Sequence, residues 1–225
     1  MALPRREAIL SGYVGAQHEF HDAAFVQEWA DRFVPTPPRI ALFDLILEHI
    51  STSSMPNPHV VELGLGPGYM ARHILERNPA ISYEGLDFSE VFFEVAIKTI
   101  AEYMPRVKLT LADLTDHEWP QSLSQQPGAI VSTWALHDLG GQEAIADVYA
   151  RCYDVLPSGG IFINGDFIKP HGTTWRYEPG RFEIDRHLEL LRQAGFGDPT
   201  LLAHFEPNID RPTAAQNYAC LMAVK

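Results

Sequence analysis

Residues 60–69 read VVELGLGPGY, a short apolar run that leads into three glycines at alternate positions. The run is typical of a buried strand, and the glycines permit a tight turn and close approach of a ligand to the main chain. A nicotinamide or flavin fingerprint requires G-x-G-x-x-G, and Tyr69 stands where its last glycine would be. The Lys and Ser/Thr of a P-loop are also missing from this turn. The spacing therefore disfavours a dinucleotide or a nucleoside triphosphate, and a purely structural turn is the alternative to a ligand site.

Strand-like and helix-like segments alternate after this turn. Short apolar runs bounded by turn residues predict strands, and apolar positions at helical spacing predict helices. The predicted strands cover residues 60–63, 81–86, 107–111, 129–133, 161–164, 200–205 and 218–224, and the predicted helices cover 69–77, 89–103, 142–156 and 181–194. This alternation predicts a doubly wound α/β sheet, mostly parallel, with helices on both faces. A proline-rich link joins the last two strands, so we expect an antiparallel edge strand there.

Ahead of the first strand the chain shows only helical patterns. Between residues 12 and 33 apolar and aromatic residues recur at helical spacing. Thr36-Pro37-Pro38 predicts the start of another helix, with a capping side chain followed by proline. We therefore expect an N-terminal helical cap over residues 1–36 and one α/β domain over residues 37–225.

The composition argues against several classes of partner. The chain has 225 residues and a net charge of −12, so its averaged field would repel nucleic acid and anionic membrane surfaces. The start, MALPRREAIL, lacks the apolar stretch of a signal peptide, and no run approaches the ~20 apolar residues of a membrane span. We expect a soluble, cytoplasmic protein with Cys152 and Cys220 reduced. A homodimer formed through the cap is left open by the sequence.

Two aspartates stand at the ends of the next two predicted strands. Asp87 lies in GLDFS and Asp113 lies in LADL. In a doubly wound sheet, ligands bind at the carboxyl ends of the strands, and an acid after the second strand can accept hydrogen bonds from both ribose hydroxyls. Asp113 could then meet an adenine amino group. The alternative for either aspartate is a helix cap or a turn residue.

Five stretches in this order resemble the motifs of class I S-adenosylmethionine-dependent methyltransferases. They are ELGLGPGY, GLDFS, LADL, AIVSTWALHDL and VLPSGGIFINGD, which lie within residues 59–168. The stretch FEIDRHLELLRQAGF resembles the late helix of the family more loosely. The resemblance implies a Rossmann-like methyltransferase sheet, S-adenosyl-L-methionine as the cofactor, and methyl transfer as the activity.

The resemblance also implies roles for the residues of these motifs. Glu62 would orient the glycine loop near the methionine amino group, and Asp87 would hold the ribose hydroxyls. Phe88 would pack on the adenine, and Asp113 would accept from its N6. The other implied contacts are Gly64, Gly66 and Gly68 along the methionyl and ribose portions, Leu114 beside the adenine ring, and Thr133 and Trp134 next to the sulfonium and the acceptor.

The reaction itself requires few catalytic groups. A sulfonium methyl is a strong electrophile, so the protein mainly places the acceptor atom and excludes water. A hydroxyl acceptor also benefits from a general base, and His137, just beyond the fourth strand, is the candidate because histidine titrates near neutral pH. Asp138 is too close in sequence to be assumed its orienting partner. The alternative is that His137 braces the following helix.

Two further segments supply candidates for acceptor binding. In the cap, His18 and His21 would share one face of a helix, and Tyr13 would line the acceptor pocket. A metal at the histidine pair is disfavoured, because no obvious further ligands stand nearby. After the fifth strand, basic and aromatic residues alternate through Trp175 and Arg176, as in a flap that stacks on a planar, anionic acceptor. Ordinary cap packing and a solvated loop are the alternatives.

These features predict an S-adenosylmethionine-dependent methyltransferase that modifies a small molecule, on oxygen or on nitrogen. Two alternatives stay open. The protein could bind S-adenosylmethionine for a non-methylating reaction, or it could be a non-catalytic regulatory or interaction protein of the same fold.

Overall fold

The computed structural model describes residues 18–225, which form a seven-stranded sheet between two helical layers. The strands are β1 (His59–Leu63), β2 (Ser82–Asp87), β3 (Val107–Leu111), β4 (Ala129–Thr133), β5 (Ile161–Phe167), β6 (Gly197–Phe205) and β7 (Tyr218–Val224). The α-helices are α1 (Ala23–Arg32), α2 (Pro37–Thr52), α3 (Tyr69–Arg77), α4 (Glu90–Thr99), α5 (Gln142–Val155) and α6 (Ile184–Gln193). Short 3-10 turns cover Glu19–His21, Ala101–Arg106, Trp119–Ser122 and Leu136–Asp138.

The sheet has the strand order β3-β2-β1-β4-β5-β7-β6. Strands β1 to β5 are parallel, and β7 runs antiparallel to both of its neighbours, β5 and β6. The doubly wound prediction with an antiparallel pair at one edge is therefore confirmed, with β7 one position in from the edge. The strand order reverses between β1 and β4, and a crevice forms at the carboxyl ends of strands at such a reversal.

The core lies on both faces of the sheet because successive side chains of a strand point to opposite faces. In β1, Val60 packs into the core beneath α2, α3 and α4, whereas Val61 and Leu63 pack into the core beneath α5 and α6. Contact between the helices and the sheet is close. A Cβ on Gly165 of β5 would lie 2.7 Å from a methyl carbon of Leu42, so α2 can rest on β5 only where β5 has no side chain.

The described residues ahead of α2 are docked on the α/β domain by aromatic contacts and hydrogen bonds. The Tyr69 hydroxyl donates to the Ala30 carbonyl at 3.1 Å, and the Ser89 hydroxyl donates to the Phe20 carbonyl. The Phe20 ring lies 5.1 Å from that of Phe92 in α4. The helical pattern predicted over residues 12–33 is interrupted, because Asp22 is extended and its carboxylate accepts from the Phe25 N–H at 2.8 Å. An aspartate satisfies the first N–H groups of a helix better than it fits a helix interior, so α1 starts there.

Several element bounds differ from the sequence-based ones. Strand β5 continues to Phe167, which places Asp166 inside the sheet, and α6 starts at Ile184 rather than at residue 181. Thr36 precedes α2 as predicted, but its side chain makes no capping hydrogen bond. Both cysteines are buried and unpaired. Within residues 18–225, no helix is long and apolar enough to cross a membrane.

Candidate functional site

A cavity of about 290 Å³ opens at the carboxyl ends of β1, β2 and β4, where the strand order reverses. Helices α1 and α2 and the loop between β6 and β7 contribute to its walls through Trp29, Arg39 and Ala214. The cavity brings together most of the sequence-predicted site residues, namely Glu62, Gly64, Gly66, Asp87, Phe88, Asp113, Leu114, Thr133, Trp134 and His137.

The glycine turn between β1 and α3 presents main chain to this cavity. Gly64 and Gly66 have φ values of +75° and +51°, which side chains disfavour. The N–H groups of Gly64 and Leu65 donate to the Leu86 carbonyl at 2.9 and 2.8 Å, so the turn is fastened to β2. No heavy atom lies within 4 Å of the position that a Cβ on Gly66 would take. A ligand can therefore reach the main chain at Gly66.

Asp87 at the end of β2 is buried and tied to the glycine turn. Its Oδ2 accepts from the Gly66 N–H at 2.9 Å, and its Oδ1 accepts from the Ser89 N–H at 3.1 Å. Burial raises the pKa of Asp87 to about 6, against the effect of these backbone hydrogen bonds. Each carboxylate oxygen has a second lone pair, so Asp87 can accept from two vicinal hydroxyls as well.

Glu62 places a second buried carboxyl group in the wall of the cavity. It is 1% exposed, and its Oε2 accepts from the Tyr83 hydroxyl at 2.8 Å. Burial raises the pKa of Glu62 well above its ordinary value, although the bond from Tyr83 opposes this shift. An ammonium group in the cavity would offset the cost of the buried charge.

Arg39, in the first turn of α2, lines the same cavity with a positive charge. Its guanidinium carbon lies 4.9 Å from the ring centroids of both Phe33 and Trp134, and burial lowers its pKa. Among residues 18–225 no carboxylate lies within ion-pair distance of Arg39, although the charge of Glu206 opposes the lowering of its pKa, and its one hydrogen bond is a long contact of 3.4 Å to the Phe33 carbonyl. Arg39 offers the positive charge that an amino-acid zwitterion requires, and Glu62 would offer the negative one once it is ionised beside an ammonium group.

Aromatic side chains surround the end of the cavity near β2. The Phe88 ring lies 6.3 Å from that of Phe20 and 5.1 Å from that of His21, in edge-to-face arrangements. Asp113 lies on the same side of the cavity, and its Oδ1 accepts from both the N–H and the hydroxyl of Thr115. Asp113 therefore stabilises a turn, which was the alternative role, while it also lines the cavity.

His137 forms a buried pair with Asp166 of β5. Its Nδ1 lies 2.8 Å from Asp166 Oδ1, and its main-chain N–H donates to Oδ2 at 2.9 Å. Burial alone would lower the pKa of His137, but Asp166 and Asp138 outweigh it and raise the pKa above the usual value. The Nδ1 contact leaves Nε2 as the ring nitrogen for a ligand, with Asp138 Oδ1 at 3.4 Å.

Other sequence-predicted site residues lie outside the cavity. Gly68 caps α3 with a φ of +77° and packs on Ala96, so its place in the motif is explained by backbone geometry. His18 and His21 do not share a helix face as expected, because the helix starts only after Asp22. Trp175 and Arg176 line a separate open depression beside α6. The prediction for Tyr13 falls on a residue outside the described part of the chain.

Three candidate functional residues were not predicted from the sequence. Asp166 ends the quoted stretch VLPSGGIFINGD, but only the continuation of β5 and its pairing in the sheet bring it to His137. Arg39 follows the Pro37-Pro38 helix start, where a surface arginine is the ordinary expectation. Arg181 was assigned to a helix, yet it lies in the loop before α6 and lines the cavity. Residues 18–225 contain no cluster of side chains suited to a metal ion.

The reversal of strand order, the glycine turn and the buried acid at the end of β2 define a Rossmann-like site for a nucleoside cofactor. Residues 60–160 match the model of the methyltransferase domain family. The methyltransferase domain matched over residues 60–160 supports a class I S-adenosylmethionine-dependent methyltransferase, with S-adenosylmethionine as the cofactor.

Individual proteins with sequence or structural similarity add detail to this assignment. Over 116 residues the chain is 32% identical to a trans-aconitate 2-methyltransferase of Acidovorax sp. (strain JS42), and the match covers 51% of this chain and 41% of that protein. Its structure is similar to that of PigF with SAH, with a TM-score of 0.65, 15% identity, and coverage of 92% of this chain and 61% of that one. It is also similar to the [4+2]-cyclase SpnF, with a TM-score of 0.61, 20% identity, and coverage of 82% and 80%.

Proposed function

We propose that this protein is an S-adenosylmethionine-dependent methyltransferase that transfers a methyl group to a hydroxyl oxygen of a small molecule, with His137 as the general base. The observation that carries this proposal is the buried contact between Asp166 and His137, which lines the cavity. A carboxylate or a free amine can accept the methyl group without such a base, whereas a hydroxyl benefits from one.

The cavity residues fit the functional groups of S-adenosylmethionine. Asp87 would accept from the ribose hydroxyls, Glu62 would meet the ammonium group, and Arg39 would bind the carboxylate. Phe88 and Leu114 would contact the adenine, and Asp113 would accept from its amino group. The unpaired charge of Arg39 and the open space at Gly66 support this assignment. When bound, the cofactor supplies an electrophilic methyl group on a positively charged sulfur.

His137 would take the proton of the acceptor hydroxyl at Nε2. The contact between Nδ1 and Asp166 fixes the tautomer with Nε2 as acceptor, and the carboxylate stabilises the imidazolium that forms. Because the base must be neutral, we expect the rate to rise with pH through the pKa of His137. That pKa is raised, so the acidic limb of the profile should lie above the range of an ordinary histidine.

The walls of the cavity favour a small acceptor. Trp29 and Phe33 from the cap and Ala214 and Ala215 from the loop between β6 and β7 close it on two sides. We propose that the residues before Pro37 act as a cap over the cofactor and the acceptor. Trp175 lies outside this cavity and therefore does not support a planar, anionic acceptor. The support for such an acceptor is the similarity to the trans-aconitate 2-methyltransferase, so trans-aconitate is the first anionic compound to test.

The decisive experiment measures transfer of labelled methyl groups from S-adenosylmethionine to a panel of phenols, aliphatic alcohols and trans-aconitate. Wild type is compared with His137→Gln and with His117→Gln, a matched control at an exposed histidine. We expect a product heavier by one methyl group. The rate should fall by about 10²–10⁴-fold in His137→Gln and stay unchanged in the control.

Other outcomes would redirect the proposal. Because trans-aconitate has carboxylates and no hydroxyl, transfer to it would indicate a carboxylate acceptor, and transfer that survives His137→Gln would also remove the base. A product that gains no methyl group would support a non-methylating reaction. A failure to bind S-adenosylhomocysteine would reject the cofactor site itself.

A further inference from the structure

Arg181 lies where three segments meet beside the cavity. Its side chain is 7% exposed, and its guanidinium carbon lies 4.1 Å from the ring centroid of Phe167 in β5. Its Nη1 donates to the carbonyl of Ala214 at 2.8 Å, and it forms an ion pair with Glu178. One buried guanidinium therefore joins the end of β5, the loop before α6 and the loop between β6 and β7.

Two of these segments, the end of β5 and the loop before α6, are packed against the turn that contains His137. The Phe167 ring meets the His137 imidazole edge-on, with centroids 5.0 Å apart. Next to Arg181, a Cβ on Gly180 would lie 1.8 Å from the carbonyl oxygen of His137, so the two main chains are in direct contact. Movement of the segment around Arg181 would therefore displace the turn of His137.

We propose that Arg181 is a positioning residue for the reaction, which holds the loop of residues 206–217 as a wall of the cavity and tunes the basicity of His137 through its charge. This inference rests on the proposed role of His137 as the base. Ala214 lines the cavity, so the hydrogen bond from Arg181 fixes part of the surface that an acceptor would meet. Arg181 is not assigned a contact with the reacting atoms.

The charge effect has a definite sign. Asp166 and Asp138 favour the imidazolium form of His137, and the positive charge of Arg181 opposes it. Glu178 partly neutralises Arg181, and beyond Asp138 the cap contributes His18. The charged or titratable groups around His137 are thus Asp166, Asp138, Arg181, Glu178 and His18. Removal of the charge at Arg181 should raise the pKa of His137, and removal of the charge at Glu178 should lower it.

The test is an NMR titration of the His137 ring in the full chain bound to S-adenosylhomocysteine, with His137→Gln to assign the signal. In Arg181→Met the midpoint should move up by about 0.5–1 pH unit, and in Glu178→Gln it should move down by less. Arg181→Lys keeps the charge and should leave the midpoint near that of wild type. Amide hydrogen exchange of residues 213–217 should become faster in both Arg181 variants, because both lose the bond to Ala214.

The results separate this inference from the proposed function. Unchanged midpoints in Arg181→Met and Glu178→Gln would overturn the electrostatic role, and unchanged exchange at residues 213–217 would overturn the role in the wall. If Arg181→Met does not fold, the midpoint in Glu178→Gln tests the electrostatic role and the amide exchange in Arg181→Lys tests the role in the wall. Equal shifts in the Met and Lys variants would mean that the residue acts on His137 only by packing. The titration needs no turnover, whereas methyl transfer tests the proposed function independently.

Discussion

Replacement of Asp87 by asparagine separates the cost of a buried charge from its use in binding. Burial raises the pKa of Asp87 to about 6, compared with 3.8 for an ordinary aspartate. A difference of about two pH units corresponds to about 3 kcal/mol of folding free energy, at about 1.36 kcal/mol per unit. The asparagine side chain would keep one oxygen as acceptor and lose one of the bonds from Gly66 and Ser89, which costs about 1 kcal/mol. Asp87→Asn should therefore stabilise the ligand-free protein by about 2 kcal/mol at pH 7.

The pH dependence follows from the direction of the shift. A carboxyl group with a raised pKa destabilises the folded state once the unfolded chain can ionise, so the penalty is absent well below pH 3.8 and complete above about pH 6. Between pH 5 and pH 7 the advantage of Asp87→Asn should grow by about 1 kcal/mol. Urea unfolding at pH 5, 7 and 8 measures it, with Asp116→Asn as a matched control at an exposed turn.

The same variant should lose affinity for the cofactor. Hydrogen bonds to a charged group contribute about 1.5–3 kcal/mol each, and an amide keeps only one acceptor oxygen for two hydroxyls. We expect the dissociation constant of S-adenosylhomocysteine, measured by calorimetry, to rise by about 10–100-fold. The reasoning is refuted if Asp87→Asn binds S-adenosylhomocysteine as tightly as wild type, or if it is no more stable than wild type at pH 7.

Three further predictions concern the other side chains of the site. Asp166→Asn should lower the pKa of His137 and move the acidic limb of the rate profile to lower pH; an unmoved limb in a methyl-transfer assay would exclude the pair as the origin of that limb. Arg39→Gln should weaken S-adenosylhomocysteine about 10-fold but leave adenosine unaffected, since only the former has a carboxylate; equal losses in calorimetry would contradict this assignment. Gly180→Ala should destabilise the protein by about 1–3 kcal/mol in thermal or urea unfolding, because its Cβ would overlap the His137 carbonyl; a neutral effect would show that the contact relaxes freely.

Much of the fold could be predicted from local patterns. The apolar runs of β1, β4 and β7 and the helical stripes of α2 and α5 carry a clear period, and each segment was predicted near its observed position. The interruption at Asp22 was missed because its cap is a local hydrogen bond that competes with a helical pattern. The end of β5 was predicted too early. Its last residues are held in the strand by pairing with β7, and a local sequence pattern carries no information about that pairing.

The candidate site also has a part that could be predicted from the sequence and a part that could not. The cofactor half follows the chain, since the glycine turn and Asp87 belong to successive β–α links that must end at the same edge of a parallel sheet. The other residues of the site come from distant segments. Arg39, Asp166 and Arg181 belong to a helix start, a strand end and a loop, and no sequence spacing relates them. The predicted contacts of Trp175 and Arg176 illustrate the limit, because residue types suited to binding an anion lie outside the cavity.

The amino-acid sequence by itself determined the doubly wound sheet, the glycine turn and the acids that follow the strands, because periodicity, turn geometry and the order of β–α units are local properties. Only the tertiary structure decided that Asp166 contacts His137, that Arg39 lines the cavity with no carboxylate in ion-pair distance, and that Arg181 joins the loops beside them. These contacts depend on how strands and loops far apart in the chain are brought together. Burial, which shifts the pKa values of Asp87 and Glu62, likewise exists only once the sheet and its helices have packed.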